Sequence, residues 1–334
     1  MCLTGRQTWT GVCTLILIMA TAPARSAWAE PTSPLAASQD GGEVVRLTTD
    51  GVFKQRPAWS PDGSWLAFSR HEGATIFLYL LSADGTRQRR LTKRTNPEYD
   101  AVWSPDGRRL AFSFVNISPN QGDVEVYTIG IDGDDLAPLA VTGKKLSHEE
   151  SPHWSPDGRW ITYSSTRHGN QEIYMSRTDG SDTRRLTSDP AIDAHPAWSP
   201  DGRKLVFATN RWGDLELAVV RVADAKITRL TTSRGLDDYP VWSSDGKQIA
   251  FTSNRTGNLE IFTIDPDGGS PHNATRNPAI DNFPTWTKDG GLTFVSNRDD
   301  GFDIYTMGAN RVARENHSAG QEVGVPSTRS VNGQ

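Results

Sequence analysis

Residues 195–202 read His195-Pro-Ala-Trp-Ser-Pro-Asp-Gly202, and the last five of them recur along the chain as Trp59-Ser-Pro-Asp-Gly63, Trp103-Ser-Pro-Asp-Gly107, Trp154-Ser-Pro-Asp-Gly158, Trp242-Ser-Ser-Asp-Gly246 and Trp286-Thr-Lys-Asp-Gly290. Successive tryptophans lie 44, 51, 44, 44 and 44 residues apart. One such pentapeptide says little, but several in register define a repeat protein. Ser at the first turn position, Pro with its fixed φ at the second and Gly at the fourth suit a type I turn. Each motif therefore joins two strands. The tryptophan ends the first strand, where a large flat ring fills the wedge between neighbouring sheets.

A second marker keeps the same period: Arg46-Leu-Thr48, Arg90-Leu-Thr92, Leu139-Ala-Val-Thr142, Arg185-Leu-Thr187, Arg229-Leu-Thr231 and a degraded Asn273-Ala-Thr275. Between markers the cleanest repeat reads as four short strands, His195–Trp198, Lys204–Thr209, Leu215–Val222 and Ile227–Thr231, with turn residues at every connection. Four strands at this period describe a propeller blade, and six blades close into a ring because an open array would expose sheet edges. The fold expected is all-β: a six-bladed β-propeller of four-stranded antiparallel blades. The Arg-Leu-Thr marker precedes the first tryptophan but does not follow Tyr305-Thr-Met307. The last blade is therefore closed by the N-terminal strand, Val44–Thr48. The one longer interval is assigned to extra residues around Asn116–Gln121.

The expected organisation is a signal peptide over 1–29, a flexible leader over 30–42, the propeller over 43–308 and a disordered C-terminal tail over 309–334. Arg6, the apolar run from Val12 to Ala22 and the small-x-small site Ala27-Trp28-Ala29 carry the first assignment. Both cysteines, Cys2 and Cys13, fall inside that segment, so the mature chain has neither disulfide nor thiol chemistry to draw on. Lys and Arg total 35 against 40 Asp and Glu, and removal of Arg6 and Arg25 makes the mature charge −7. Nucleic acid is not an expected partner. No second apolar run is long enough for a membrane span. A periplasmic or secreted monomer is expected.

Charges repeat as well. Arg167 and Glu172, Arg211 and Glu216, Arg255 and Glu260, and Arg298 and Asp303 share a five-residue spacing. Repetition in four blades reads as a structural ion pair or hydrogen bond at a blade corner rather than as catalysis. The loop entering each innermost strand should reach the channel mouth, and the fifth residue before each tryptophan is Lys54, Glu98, Glu149, Asp193, Asp237 or Asp281. With the adjacent His195, Tyr239 and Phe283 these acids form a candidate partner-binding ring. It would suit a basic or amide-rich peptide segment, or a hard cation such as Ca2+ held by oxygen ligands. Capping of loop amides by the same acids is the structural alternative.

The repeated Arg-Leu-Thr, Pro-x-Trp-Ser-Pro-Asp-Gly and Ser-Asn-Arg-x-Gly-x-x-Glu-Ile-Tyr strings resemble the WD40-like propeller of the TolB family over Glu43–Met307. The resemblance implies a periplasmic binding platform of the Tol-Pal envelope system, docking a peptidoglycan-associated lipoprotein over one mouth of the channel. Enzymatic readings have less behind them. There is no Gly-x-Ser-x-Gly elbow, no His-Glu-x-x-His and no Gly-rich phosphate loop. The alternative is a metal-assisted lyase or hydrolase in the channel, for which His148, His153 and His195 with Glu149 or Glu150 are the clustered candidates, at spacings that match no metal signature.

Overall fold

The computed structural model describes residues 44–116, 123–139, 147–310 and 312. The expected signal peptide and leader, most of the inserted segment and most of the tail lie outside the described residues.

The strands follow in chain order: β1 (Val44–Arg46), β2 (Lys54–Trp59), β3 (Trp65–Glu72), β4 (Thr75–Ser82), β5 (Gln88–Arg90), β6 (Glu98–Trp103), β7 (Arg109–Asn116), β8 (Asp123–Gly130), β9 (Ala137–Pro138), β10 (Glu149–Trp154), β11 (Trp160–Ser165), β12 (Glu172–Arg177), β13 (Arg184–Arg185), β14 (Asp193–Trp198), β15 (Lys204–Thr209), β16 (Glu216–Arg221), β17 (Lys226–Arg229), β18 (Asp237–Trp242), β19 (Ile249–Ser253), β20 (Glu260–Ile264), β21 (His272–Asn273), β22 (Asp281–Trp286), β23 (Leu292–Ser296) and β24 (Asp303–Met307). They form six four-stranded antiparallel sheets. Blades 1 to 5 each take four consecutive strands beginning at β2, and blade 6 is ordered β1-β24-β23-β22.

The ring closes as the marker arithmetic predicts. Val44 pairs with Met307 and Arg46 with Tyr305, and the Leu47 N–H donates to the Ile304 carbonyl at 2.7 Å. In the segment expected to be disordered, Ala309 and Asn310 are helical, and Val312 is buried against the core of blade 6.

The pentapeptide turns take the expected form. The Gly202 N–H donates to the Ser199 carbonyl at 2.9 Å, and the same bond recurs at Gly63, Gly107, Gly158, Gly246 and Gly290. Each of these glycines has positive φ, which is why that position is never branched. The tryptophans lean on the preceding blade: Trp103 Nε1–H donates to the Ala58 carbonyl at 2.9 Å and Trp286 Nε1–H to the Val241 carbonyl at 3.2 Å. Around them, apolar residues of adjacent sheets interdigitate, as where Trp198, Leu205 and Phe207 of blade 4 meet Ile173 and Met175 of blade 3. Among the described residues no helix is long and apolar enough to cross a membrane.

Candidate functional site at the channel mouth

Every innermost strand breaks its ladder at the same place. The pairing of β14 with β15 jumps from Ala194 to Ala197, and equivalent register shifts occur in β2, β6, β10, β18 and β22. At each break the third residue before the tryptophan has left-handed backbone: Arg56, Asp100, Ser151, His195, Tyr239 and Phe283, with φ between 51° and 57°. In five of the six, proline follows, which supplies no ladder N–H and makes a bulge the natural outcome. Holding a non-glycine residue in this region costs about 1 kcal/mol, and six strands bear it at one level of the ring.

The bulge decides which side chains meet in the channel. Arg56 of blade 1 lies 3.3 Å from the Asp100 carboxylate of blade 2, and the Ser151 hydroxyl of blade 3 donates to Asp100 at 2.9 Å. His195 Nδ1 of blade 4 lies 2.5 Å from Asp238 Oδ1 of blade 5. The His195 ring packs on Tyr239 at 4.3 Å, and Tyr239 packs on Phe283 at 4.7 Å. The Arg56 guanidinium stands 4.8 Å over the Tyr239 ring. Blades 1 and 5 are not neighbours, so that last contact spans the mouth. Glu150 joins the group, accepting from the Tyr99 hydroxyl at 3.2 Å and from the Gln171 amide. Burial, then the nearby Asp100 carboxylate, pushes the Glu150 carboxyl up.

The residues predicted from sequence divide into two sets. His195 and Tyr239, both half-buried, are brought into contact at the mouth, whereas Phe283 touches Tyr239 from within the buried core shared by blades 1 and 6. Glu98, Glu149, Asp193, Asp237 and Asp281 instead lie inside the blade junctions, four of the five with no exposed surface. Arg211 Nη2 lies 2.9 and 2.7 Å from the two Asp193 oxygens. Arg255 holds Asp237 at 2.8 and 2.7 Å, Arg298 holds Asp281 at 2.9 Å on both oxygens, and Arg167 reaches Glu149 at 3.2 Å. Burial pushes the carboxyls of Asp193 and Asp281 up, and the hydroxyl and guanidinium donors facing them act in the opposite direction.

These contacts correct the expected five-residue ion pairs. Each arginine turns back across its sheet to the innermost strand. The outer acids serve the next marker: Glu172 accepts from Arg185 at 2.7 Å and from the Thr187 hydroxyl at 2.7 Å, and Glu216 accepts from Arg229 at 2.6 Å. The reason lies in the register, since Glu149, Ser165 and Glu172 sit side by side on β10, β11 and β12. An arginine two residues beyond Ser165 can reach either flank, and the outer acid is already taken by the arginine and hydroxyl of the next marker. In blade 1 the acid is replaced by Lys54, which instead pairs with Asp303 at 2.8 Å across the closure seam.

The histidines do not converge. His153 sits between blades 3 and 4, pushed down to about 4 by burial, with Trp198 N–H donating to its Nδ1 at 3.5 Å. The backbone N–H of His148 is held by the Thr166 hydroxyl. Among the described residues, no three His, Cys, Asp or Glu side chains gather as metal ligands.

The repeat pattern singled out none of Arg56, Asp100, Ser151 and Asp238, and Glu150 entered only as a candidate metal ligand. The signal that could have found them, Asp100 apart, was the proline inside an innermost strand.

The family sequence model of the TolB beta propeller domain matches residues 141–238 and 233–334. The chain belongs to the TolB β-propeller family. An uncharacterised protein of Agrobacterium fabrum is 32% identical over 133 residues, 38% of this TolB-family chain and 41% of the relative. A Tol-Pal system protein TolB of Syntrophus aciditrophicus is 37% identical over 67 residues, 19% of this chain and 14% of that one. These matches therefore span less than half the length of the curated relatives. The solved structure of a putative TolB from Agrobacterium tumefaciens superposes with a TM-score of 0.62 at 23% identity, covering 79% of this chain and 96% of that one. At that identity the superposition speaks for the fold.

Proposed function

We propose that this TolB-family chain is an exported protein-binding scaffold that docks a polypeptide segment at the channel mouth, with an envelope lipoprotein of the peptidoglycan-associated kind as the partner class. The observation that carries the reading is the contact of Arg56 with Asp100 on the neighbouring blade and with Tyr239 across the channel, because a mouth that seats its own guanidinium against a carboxylate and a ring suits an incoming cationic or amide-rich side chain. Asp100 and Asp238 outnumber the single arginine, which favours the same ligand chemistry. The signal-peptide pattern of residues 1–29 supports export.

The test is affinity capture from detergent-solubilised envelope, with the mature chain and a His195→Ala/Tyr239→Ala variant as parallel baits. A lipoprotein recovered by the first bait, weakened by salt and reduced about tenfold with the second, is the expected result. Equal recovery by both baits removes the mouth as the docking site.

A further inference from the structure

The junction between blades 1 and 2 departs from the others. In blades 3 to 6 the innermost acid faces an arginine, a Ser or Thr lies beside it on the second strand, and an acid begins the third strand. In blade 2 the arginine position holds Asn116 and the Ser/Thr position holds Phe114, which pairs directly with Glu98. On the blade 1 side, Phe77 replaces the outer acid, so Arg90 lies over the Phe77 ring, 3.3 Å from its centre. Glu98 has no exposed surface, accepts from the Thr92 hydroxyl through Oε2, and leaves Oε1 without a hydrogen-bond partner among the described residues. It is the ring's acid without an arginine.

We propose that pH acts on the channel mouth through this junction, with Glu98 carried in the fold as the neutral acid and its ionisation loosening the start of β6. The inference rests on the mouth being the docking site. The connection is short, because Glu98 is followed on β6 by Tyr99, whose hydroxyl holds Glu150, and by Asp100, which ties Arg56 to Ser151. Displacement of β6 therefore releases contacts among blades 1, 2 and 3 at the mouth.

The charged and titratable groups on the surrounding elements are these. Arg90 and Arg94 lie on the blade 1 side, Arg70, His71 and Glu72 on β3, Tyr79 on β4, Glu125 and Tyr127 on β8, Lys54 and Arg56 on β2, and Glu149 and Glu150 on β10, the last itself pushed up by burial. Lys54 is held by Asp50 and Asp303, and Glu149 by Arg167. Burial pushes the Glu98 carboxyl up from 4.5 to about 7, against smaller opposing effects from Thr92, Arg90, the Leu78 backbone and Arg94. A carboxyl raised in the folded state takes up a proton on folding between those values. That contribution to stability is complete below 4.5 and is lost as the pH rises through 7.

Thermal unfolding of the whole chain and of Glu98→Gln, each at about pH 6 and about pH 8.5, tests the claim. The wild type should lose roughly 3–6 °C more than the variant on going to the higher pH. A second measurement needs no variant: hydrogen exchange, corrected for intrinsic rate, should show protection at residues 98–103 falling about tenfold relative to 193–198 over the same interval. Parallel pH profiles for the two proteins, or equal protection changes in the two strands, overturn the inference and leave the docking reading standing. A pH-dependent β6 in a chain that captures no partner overturns the docking reading instead.

Discussion

Asp193 and His195 are two residues apart on one strand, yet they belong to different parts of the molecule. Asp193 has no exposed surface and is locked to Arg211. His195 sits beyond the start of a bulge and meets Asp238 and Tyr239 from the next blade. The same contrast holds round the ring. The fifth position before the tryptophan is acidic in all blades but the first, whereas the third reads Arg56, Asp100, Ser151, His195, Tyr239 and Phe283, no two alike. A position that is buried in every blade keeps one chemistry in five of the six. A position at which six different neighbours converge on one channel is free to carry specificity.

That contrast breaks most visibly if a scaffold pair is cut. Arg211→Ala strands Asp193 as an uncompensated buried charge and is expected to cost about 3–5 kcal/mol in urea unfolding, with partner capture changed only as far as folding is lost. A loss under about 1 kcal/mol would mean that the inner acids are not structural.

Lys54→Met tests the seam. Asp303 keeps Arg46 at 2.6 Å and the Thr48 hydroxyl at 2.6 Å, so the expected cost is smaller, about 2 kcal/mol. Burial pushes the Asp303 carboxyl up, but hydrogen bonds from Lys54, Thr48 and Arg46 outweigh it and leave it below its ordinary 3.8. Its contribution is present above 3.8 and lost as the pH falls below that value. Acid melting should therefore be less steep in Asp303→Asn than in the wild type, the opposite pH direction to Glu98.

Tyr239→Ala reverses the pattern: a stability loss of about 1–2 kcal/mol, since the ring is only half-buried, with capture of the envelope partner falling about tenfold. The smallest effect belongs to the turns. The Ser60 hydroxyl accepts from the Trp65 N–H at 2.9 Å, and Ser60→Ala should lower stability by about 1 kcal/mol and leave capture untouched.

Much of this was legible in the repeat. The tryptophan turns, the blade count and the pairing of Val44–Arg46 with β24 follow from spacing alone, because a period and a missing outer strand are properties of the chain order. The acidic position was legible too, but its orientation was not. A five-residue spacing between Arg211 and Glu216 says that the two are near, while the choice between Glu216 and Asp193 depends on how far the hairpin leans over its sheet. The proline before Ala197 was visible as a residue but its bulge was not read as a re-aiming device.

By itself, the sequence determined a closed six-bladed ring, since a repeat that buries its faces only against copies of itself has one economical way to hide its edges. Only the tertiary structure decided which of two adjacent sets faces the channel, because that depends on the direction of a side chain after a left-handed residue, and no spacing encodes a direction. It also decided that Glu98 stands alone: the arginine it lacks, the serine it lacks and the ring of Phe77 come from separate strands, and their common effect on one carboxyl exists only once those strands are packed.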